Sequence, residues 1–435
     1  MIPTKVGDLI HTNCFHCNFT ALMQEMKHPK DLSISDYLYH LPEDRIAKYP
    51  LVNRESSALL VRKENSIEKK LFASLNECLP ENACLVFNNS KVIHARILFK
   101  VSEHISVECF CLEPADGIAP AEAFSLQESH RWLCMIGFAR KWKTDLLSKE
   151  FTGVHGNSTF SARKISNEGR DFIIEFSWDN KNYSFAEVLE KVGDLPIPPY
   201  LNRKAEAEDE VRYNTVYAGA DGSVAAPTAG LHFTDFMLQK LKEDKKELLY
   251  LTLHVGAGTF LPVKSTTMEG HAMHAERIEV SLETIQHLAA VLGQRSVVAV
   301  GTTSARSLES LYWMGCRWMK EGGSADVFML QQWEPYEDKV EELPSAAEVF
   351  KYIANFMIDH QMDLLSGYTR LIIAPGYSFR VLDVLMTNFH QPGSTLLLLV
   401  AALVGDDWKN IYNFALENEF RFLSFGDASL LFKNQ

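Results

Sequence analysis

At 435 residues the chain is too long for one ordinary core, and two or three domains are expected. Its 46% hydrophobic and 23% charged content excludes an intrinsically disordered protein. A formal charge of −13 argues against a generic nucleic-acid coat and restricts any RNA contact to a local basic patch on one face. The longest fully apolar run, Leu396 to Val404, is roughly half of what a bilayer-spanning helix needs, so no membrane partner is expected. The N-terminus lacks the apolar centre of a signal peptide, which makes a cytoplasmic location the default. The eight scattered cysteines then read as reduced thiols.

In chain order, residues 1–30 read as a poorly ordered N-terminal extension. Within it, Cys14 and Cys17 stand beside His11 and His16; zinc would need a second ligand pair, none follows nearby, and no metal is expected. Residues 31–57 are polar and punctuated by proline. From Leu59 to Trp178 come short alternating stretches: "LVFNNSKVIHARILFKV", "HISVECFCL", "RWLCMIGF" and "DFIIEFSW". Such period-two patterning predicts a small β-barrel or sandwich. In "HISVECFCL", Ile105, Val107, Cys109 and Cys111 share one face, with Ser106 and Glu108 on the other. A stiff proline hinge, Pro196 to Pro199, then gives way to strand–loop–helix units. "ELLYLTLHV", "RSVVAVG" and "TRLIIAPG" are buried-strand candidates, and Thr234 is the N-cap of a helix over "TDFMLQKLKED". This half is an α/β domain whose ligands belong at the strand ends.

Three glycine- or proline-rich loops of that half each deliver a histidine. In "SVAAPTAGLHFT", Thr228 and Gly230 precede His232, and the small residues leave room for a substrate against the backbone. In "LHVGAGTFLPV", His254 is followed by Gly256 and Gly258, where a ligand or another backbone could approach closely. In "TNFHQPGST", Asn388 offers donor and acceptor beside His390, and Ser394 caps the apolar helix that follows. "AVGTTSARSLESL" runs through Gly301 into a helix beginning near Ser304. Its free amides, with the hydroxyls of Thr302, Thr303 and Ser304, make an anion site. Arg306 and Glu309 lie three apart on one helix face near that site. Ordinary capping and a surface ion pair account for the helix start equally well, and a lone strand histidine such as His254 is more often a satisfied core residue than a catalyst. No Walker lysine or GxGxxG accompanies the loop, which argues against a nucleoside triphosphate or dinucleotide. Spacing alone therefore points to a small-molecule enzyme with an anion-binding helix start.

At these residues the sequence resembles the S-adenosylmethionine:tRNA ribosyltransferase-isomerase family of queuosine biosynthesis. The matching segments run in order: "YLYHLPEDRIAKYPLVNR", "LVFNNSKVIHARI", "LPIPPYL", "EDEVRYNTVYA", "GSVAAPTAGLHFT", "LTLHVGAGTFLPV", "GHAMHAERIEV", "VAVGTTSARSLES" and "APGYSFRVLDVLMTNFHQPGSTLLLLVAALVG". They span Asp36 to Gly405. The resemblance implies an α/β sandwich-type main domain, residues 31–58 and 195–435, with a small β-barrel domain inserted at 59–194. It implies that the ribosyl part of S-adenosylmethionine passes to 7-aminomethyl-7-deazaguanine at the tRNA wobble position. The sugar becomes an epoxy-cyclopentane, and adenine and methionine leave. S-adenosylmethionine is then a co-substrate, with no permanently bound cofactor, and a monomer is expected rather than an obligate oligomer.

That chemistry suggests roles. A sulfonium acidifies the adjacent C5′ hydrogens, so a neutral His232, His254 or His390 could act as base. Thr303, Ser304 and Arg306 would hold the methionine carboxylate, and Asn388 would orient a ring. Thr228, Gly230, Gly256, Gly258, Glu309 and Tyr377 complete the expected substrate-binding set. Lys91, Arg96, Arg203 and Arg212 are the candidates for tRNA backbone contacts. The chain departs from the family pattern where Asn-Asp-Thr-Arg-Val-Ile-Pro is usual and "NNSKVIH" stands, at Ala58, in "SEHISVECF" and at Gly393. Several of these changes remove positive charge. They favour, as the alternative, an S-adenosylmethionine-binding paralogue acting on a non-tRNA acceptor. A non-catalytic binding protein is the third reading, and a plain methyltransferase would need a glycine-rich loop after an early strand.

Overall fold

A computed structural model describes residues 28–64, 66–256, 263–337 and 342–434. Its main sheet has ten strands in the order Phe328–Leu330, Leu364–Thr369, Glu276–Ser281, Glu247–His254, Cys84–Asn88, Val297–Val300, Val384–Asn388, Ala428–Phe432, Ala58–Lys63 and Ser66–Leu71. The strands Glu247–His254, Cys84–Asn88, Val297–Val300 and Val384–Asn388 are parallel neighbours. Asn88, His254, Gly301 and Asn388 therefore stand along one end of the sheet. The antiparallel strand Glu276–Ser281 starts at that same end, with Arg277 opposite His254. Its neighbour Leu364–Thr369 finishes there, with Thr369 opposite Glu276.

Both faces of the central parallel strands Cys84–Asn88, Val297–Val300 and Val384–Asn388 are covered, which is why those strands read as unbroken apolar runs. Alternate residues serve different layers. Cys84, Val86, Leu251, Val297, Ala299 and Leu385 share a core with Leu308, Leu311, Ile353 and Leu399 from the helices Thr302–Glu321, Ala346–Asp359 and Thr395–Val404. Leu85, Phe87, Val298, Val300, Val384 and Met386 face the other way, onto Met237, Leu238 and Leu241 of the helix Asp235–Glu243. The expected caps are present: Thr234 Oγ1 accepts from Met237 N at 3.2 Å, and Ser394 Oγ from Leu397 N at 3.2 Å. The helix after Gly301 begins at Thr302, one turn-residue pair ahead of Ser304.

A second sheet of seven antiparallel strands runs Gly193–Asp194, Arg96–Ser102, Ile105–Pro114, His130–Gly137, Asp171–Trp178, Gly156–Glu168, Leu146–Gly153. It curls until Arg96–Ser102 comes near Leu146–Gly153. Val107, Cys109 and Cys111 point into its core while Ser106 is exposed, as the alternation requires. The helix Phe185–Val192, started by a Ser184–Glu187 capping box, inserts Phe185 among Phe124, Trp132, Phe176 and Trp178.

Three sequence expectations change. Residues 59–63, Ser66–Leu71 and Cys84–Asn88, expected in the insertion at 59–194, pair within the main sheet instead. Alternation reports a strand but not its partners, and here the partners lie far along the chain. The segment "TRLIIAPG" contributes only Thr369 to a strand; Leu371 to Ala374 are buried outside it. Residues 28–30, assigned to the extension, form a short turn in which His28 packs on Trp333 and Tyr336. His11, Cys14, His16 and Cys17 lie outside the described residues. Among the described residues no helix is long and apolar enough to cross a membrane.

Candidate active site

Where the parallel strands end, the curled sheet faces the main sheet across a cavity of about 650 Å³. Leu112, Glu113, Trp132, Met135, Arg170 and Asp171 wall it on one side; His254, Gly256, Glu276, Arg277, Arg306 and Arg370 on the other. Lys264, His271 and His274 close a third side. Arg170, Lys264, Arg277, Arg306 and Arg370 outnumber Glu113, Asp171 and Glu276, so an acidic chain concentrates positive charge here.

Arg306 projects from the first turns of the long helix Thr302–Glu321. Its Nη1 donates to Glu276, its Nε donates to Leu371 O at 3.1 Å, and its Nη2 is buried without a partner. Glu276 Oε1 also accepts from Gly256 N at 3.2 Å. A buried guanidinium with one unsatisfied N–H is a ready donor for an anionic ligand group.

His254 ends its strand with Nε2 at 3.8 Å from Glu279 Oε2, while Nδ1 is buried without a partner. Burial alone would raise the Glu279 pKa, but His254 beside it and the hydrogen bond from Arg277 Nε at 2.7 Å outweigh it and bring it down to about 2. A carboxylate at Nε2 favours the tautomer protonated there and leaves the Nδ1 lone pair unshared. Gly222, at φ +131°, comes so close that a Cβ would stand 2.8 Å from Nδ1. Gly256 has open space where a side chain would be, so it leaves the cavity wall thin.

The other two histidines sit elsewhere. His232 Nδ1 lies 2.8 Å from Ser57 Oγ and Nε2 3.3 Å from Asn388 Nδ2, beside a recess of about 20 Å³ shared with Arg54 and Arg212. His390 Nε2 lies 2.9 Å from Thr387 Oγ1, and its backbone is held by Tyr412 and Tyr39. Burial pushes both imidazoles down to about 3. Because a free imidazole titrates near 6.5, the unfolded chain binds protons below that pH that the folded chain refuses. Their contribution to stability is complete above pH ~6.5 and is lost as pH falls toward 3, at up to about 1.4 kcal/mol per pH unit for each. His390→Gln is therefore expected to flatten the pH dependence of the urea midpoint between pH 6.5 and 4. A slope equal to that of the unsubstituted protein would refute this.

The remaining expected residues divide. Gly230 is required by packing, since a Cβ would fall 1.9 Å from Tyr217 Oη; the small residues ahead of His232 accommodate that ring. Thr228 opens the same short turn. Ser304 Oγ donates to Val300 O at 2.8 Å, whereas Thr303 Oγ1 is buried without a partner. Glu309 accepts from Tyr377 Oη at 2.7 Å and from Val381 N at 2.9 Å, which fastens that loop to the helix. Neither Glu309 nor Tyr377 reaches the cavity. Gly258 lies outside the described residues. Each basic candidate for RNA has a protein partner. Lys91 pairs with Asp221 at 3.1 Å, Arg96 with Glu108 at 2.6 Å and Arg203 with Asp209 at 2.5 Å, while Arg212 donates to Leu51 O and Val52 O.

Residues 34–431 match a family model described as "Queuosine biosynthesis protein". The chain belongs to the queuosine biosynthesis protein family. A relative from Halothermothrix orenii named S-adenosylmethionine:tRNA ribosyltransferase-isomerase is 36% identical over 412 residues, 92% of this chain and 100% of that one. A crystal structure of an S-adenosylmethionine tRNA ribosyltransferase from Thermotoga maritima is 26% identical, covering 91% of this chain and 99% of its own, with a TM-score of 0.43.

In this queuosine biosynthesis family member, residue-by-residue reasoning missed His271, His274, Glu276, Arg277 and Arg370, all on the cavity wall. The signal was available in "GHAMHAERIEV", where two histidines three apart precede a Glu-Arg pair and an alternating strand. What could not be read locally is that this strand returns antiparallel and delivers Glu276 and Arg277 beside His254.

Proposed function

We propose that the protein transfers the ribosyl moiety of S-adenosylmethionine to 7-aminomethyl-7-deazaguanine at the tRNA wobble position. It isomerises the sugar, giving epoxyqueuosine-tRNA, adenine and methionine. Family membership and likeness along the whole length of a ribosyltransferase-isomerase support this reaction. The observation that carries it to particular residues is the cationic cavity at the strand ends, whose 650 Å³ suits a nucleoside with an amino-acid tail. Arg306 Nη2 binds the methionine carboxylate. His254 takes the C5′ proton beside the sulfonium through Nδ1, while Glu279 keeps the other nitrogen protonated. His271 and His274, which close the third side of the cavity, are the donors for the departing adenine.

The curled sheet is a barrel-type domain inserted into an α/β sandwich, and it supplies the wall that faces the acceptor base. The protein works as a cytoplasmic monomer. Cys111 and Cys134, cross-strand partners, are on this reading reduced thiols in a reducing compartment. The test is adenine release from S-adenosylmethionine with and without tRNA carrying the modified base. Release that requires this tRNA, with epoxyqueuosine appearing in the RNA, is expected; release indifferent to tRNA, or none, would sink the reading.

A further inference from the structure

The curled sheet carries one feature that its core does not explain. Phe138 follows the strand His130–Gly137 with 74% of its surface exposed and with φ +56°, ψ +35°. Left-handed backbone is unfavourable for a bulky residue, and water is unfavourable for a phenyl ring. The turn "FARKWK" that it opens, Phe138 to Lys143, holds three cations and no acid. Arg140, Lys141 and Lys143 are exposed and enter no ion pair among the described residues, unlike Lys91, Arg96 and Arg203. The turn is nonetheless built. Trp142 is buried beneath it, Lys164 Nζ lies 4.9 Å from the Trp142 ring and donates to Trp142 O at 3.3 Å, and Lys141 N donates to Phe138 O at 2.7 Å.

Its position ties it to the site. Phe138 follows the cavity-lining Met135 by three residues, about 10 Å along an extended strand. Phe172 pairs with Cys134, so the turn that brings Arg170 to the cavity wall is level with the end of the same strand. Arg170 and the Phe138 turn thus stand at one edge of the curled sheet, with Asp171 beside Arg170 and Glu108 opposite Gly137 as the acids between them.

We infer that the Phe138–Lys143 turn is a tRNA-docking element in which Phe138 stacks on an anticodon-loop base flanking the modified nucleotide while Arg140, Lys141 and Lys143 hold the backbone phosphates. The inference rests on the reading that tRNA is the substrate. An exposed ring offers a stacking platform to any unpaired base, and unpaired cations around it supply the salt-dependent attraction. The basic residues singled out from the sequence are engaged with protein groups; these enter no ion pair among the described residues.

The experiment measures binding of tRNA carrying 7-aminomethyl-7-deazaguanine over a salt series, together with adenine release. Phe138→Ala is expected to weaken tRNA binding about 10-fold with little change in salt slope. The triple variant Arg140→Ala, Lys141→Ala, Lys143→Ala is expected to weaken it and to lower the logarithmic salt slope by up to about 3. S-adenosylmethionine affinity stays unchanged in both. Phe138→Gly, which relieves the left-handed backbone, keeps or raises the thermal midpoint while losing tRNA affinity as Phe138→Ala does, so misfolding cannot explain the loss. If the wild type releases adenine on this tRNA yet both Phe138→Ala and the triple variant bind it as tightly, the inference alone is overturned. If the wild type neither binds nor uses tRNA, the substrate reading falls and the inference falls with it.

Discussion

Replacing His254 with alanine is expected to lower tRNA-dependent adenine release by about 10²–10⁴-fold, the usual contribution of a positioned general base. The loss should fall on kcat, with S-adenosylmethionine binding little changed, because proton abstraction is a transition-state interaction. The geometry singles out this histidine. Its Nδ1 is buried without a partner, and Glu279 stands 3.8 Å from the other nitrogen. Glu279→Gln should then produce a smaller loss of the same kind, since it alters tautomer preference without removing the base. His390→Ala offers the contrast: its imidazole is bonded to Thr387 inside the core, so it should reduce stability more than kcat. A His254→Ala enzyme within tenfold of wild-type turnover would remove His254 from the reaction.

Arg306→Met is expected to cost about 3–5 kcal/mol of folding stability, the range for taking one partner from a buried ion pair. Arg306 and Glu276 are 8% and 5% exposed in their side chains, so water screens neither charge. The same substitution removes the unsatisfied Nη2 and should raise the KM for S-adenosylmethionine. These two effects can be separated. Adding Glu276→Gln to Arg306→Met removes the carboxylate charge that Arg306 had faced and should recover part of the stability in urea unfolding. It should recover none of the affinity in equilibrium binding. Affinity returning together with stability would mean that Arg306 acts only as a structural counter-ion.

Much of the local architecture was legible in the residues. Thr234 and Ser394 cap the helices they were expected to cap, because an N-cap needs only its own hydroxyl and an amide three residues on. Val107, Cys109 and Cys111 face one core because period two is a property of any strand. The buried parallel strands were recognisable as apolar runs, since a sheet covered on both faces leaves no polar side to mark. Family motifs supplied the chemistry that spacing alone left at an anion-binding helix start.

The tertiary structure decided which of those motifs converge. His232, His254 and His390 look alike in sequence, each in a small-residue loop at a strand end, yet only His254 meets the cavity. Its strand lies next to the antiparallel return of Glu276–Ser281, whereas His232 and His390 end beneath Phe72 and Tyr412. Strand pairing likewise moved residues 59–63 and Cys84–Asn88 into the main sheet, against Ala428–Phe432 and Glu247–His254. Hydrogen-bond demand and side-chain period are set within a few residues. Burial, pairing partner and the charge facing a group are set by segments hundreds of residues away, and only the folded chain brings those together.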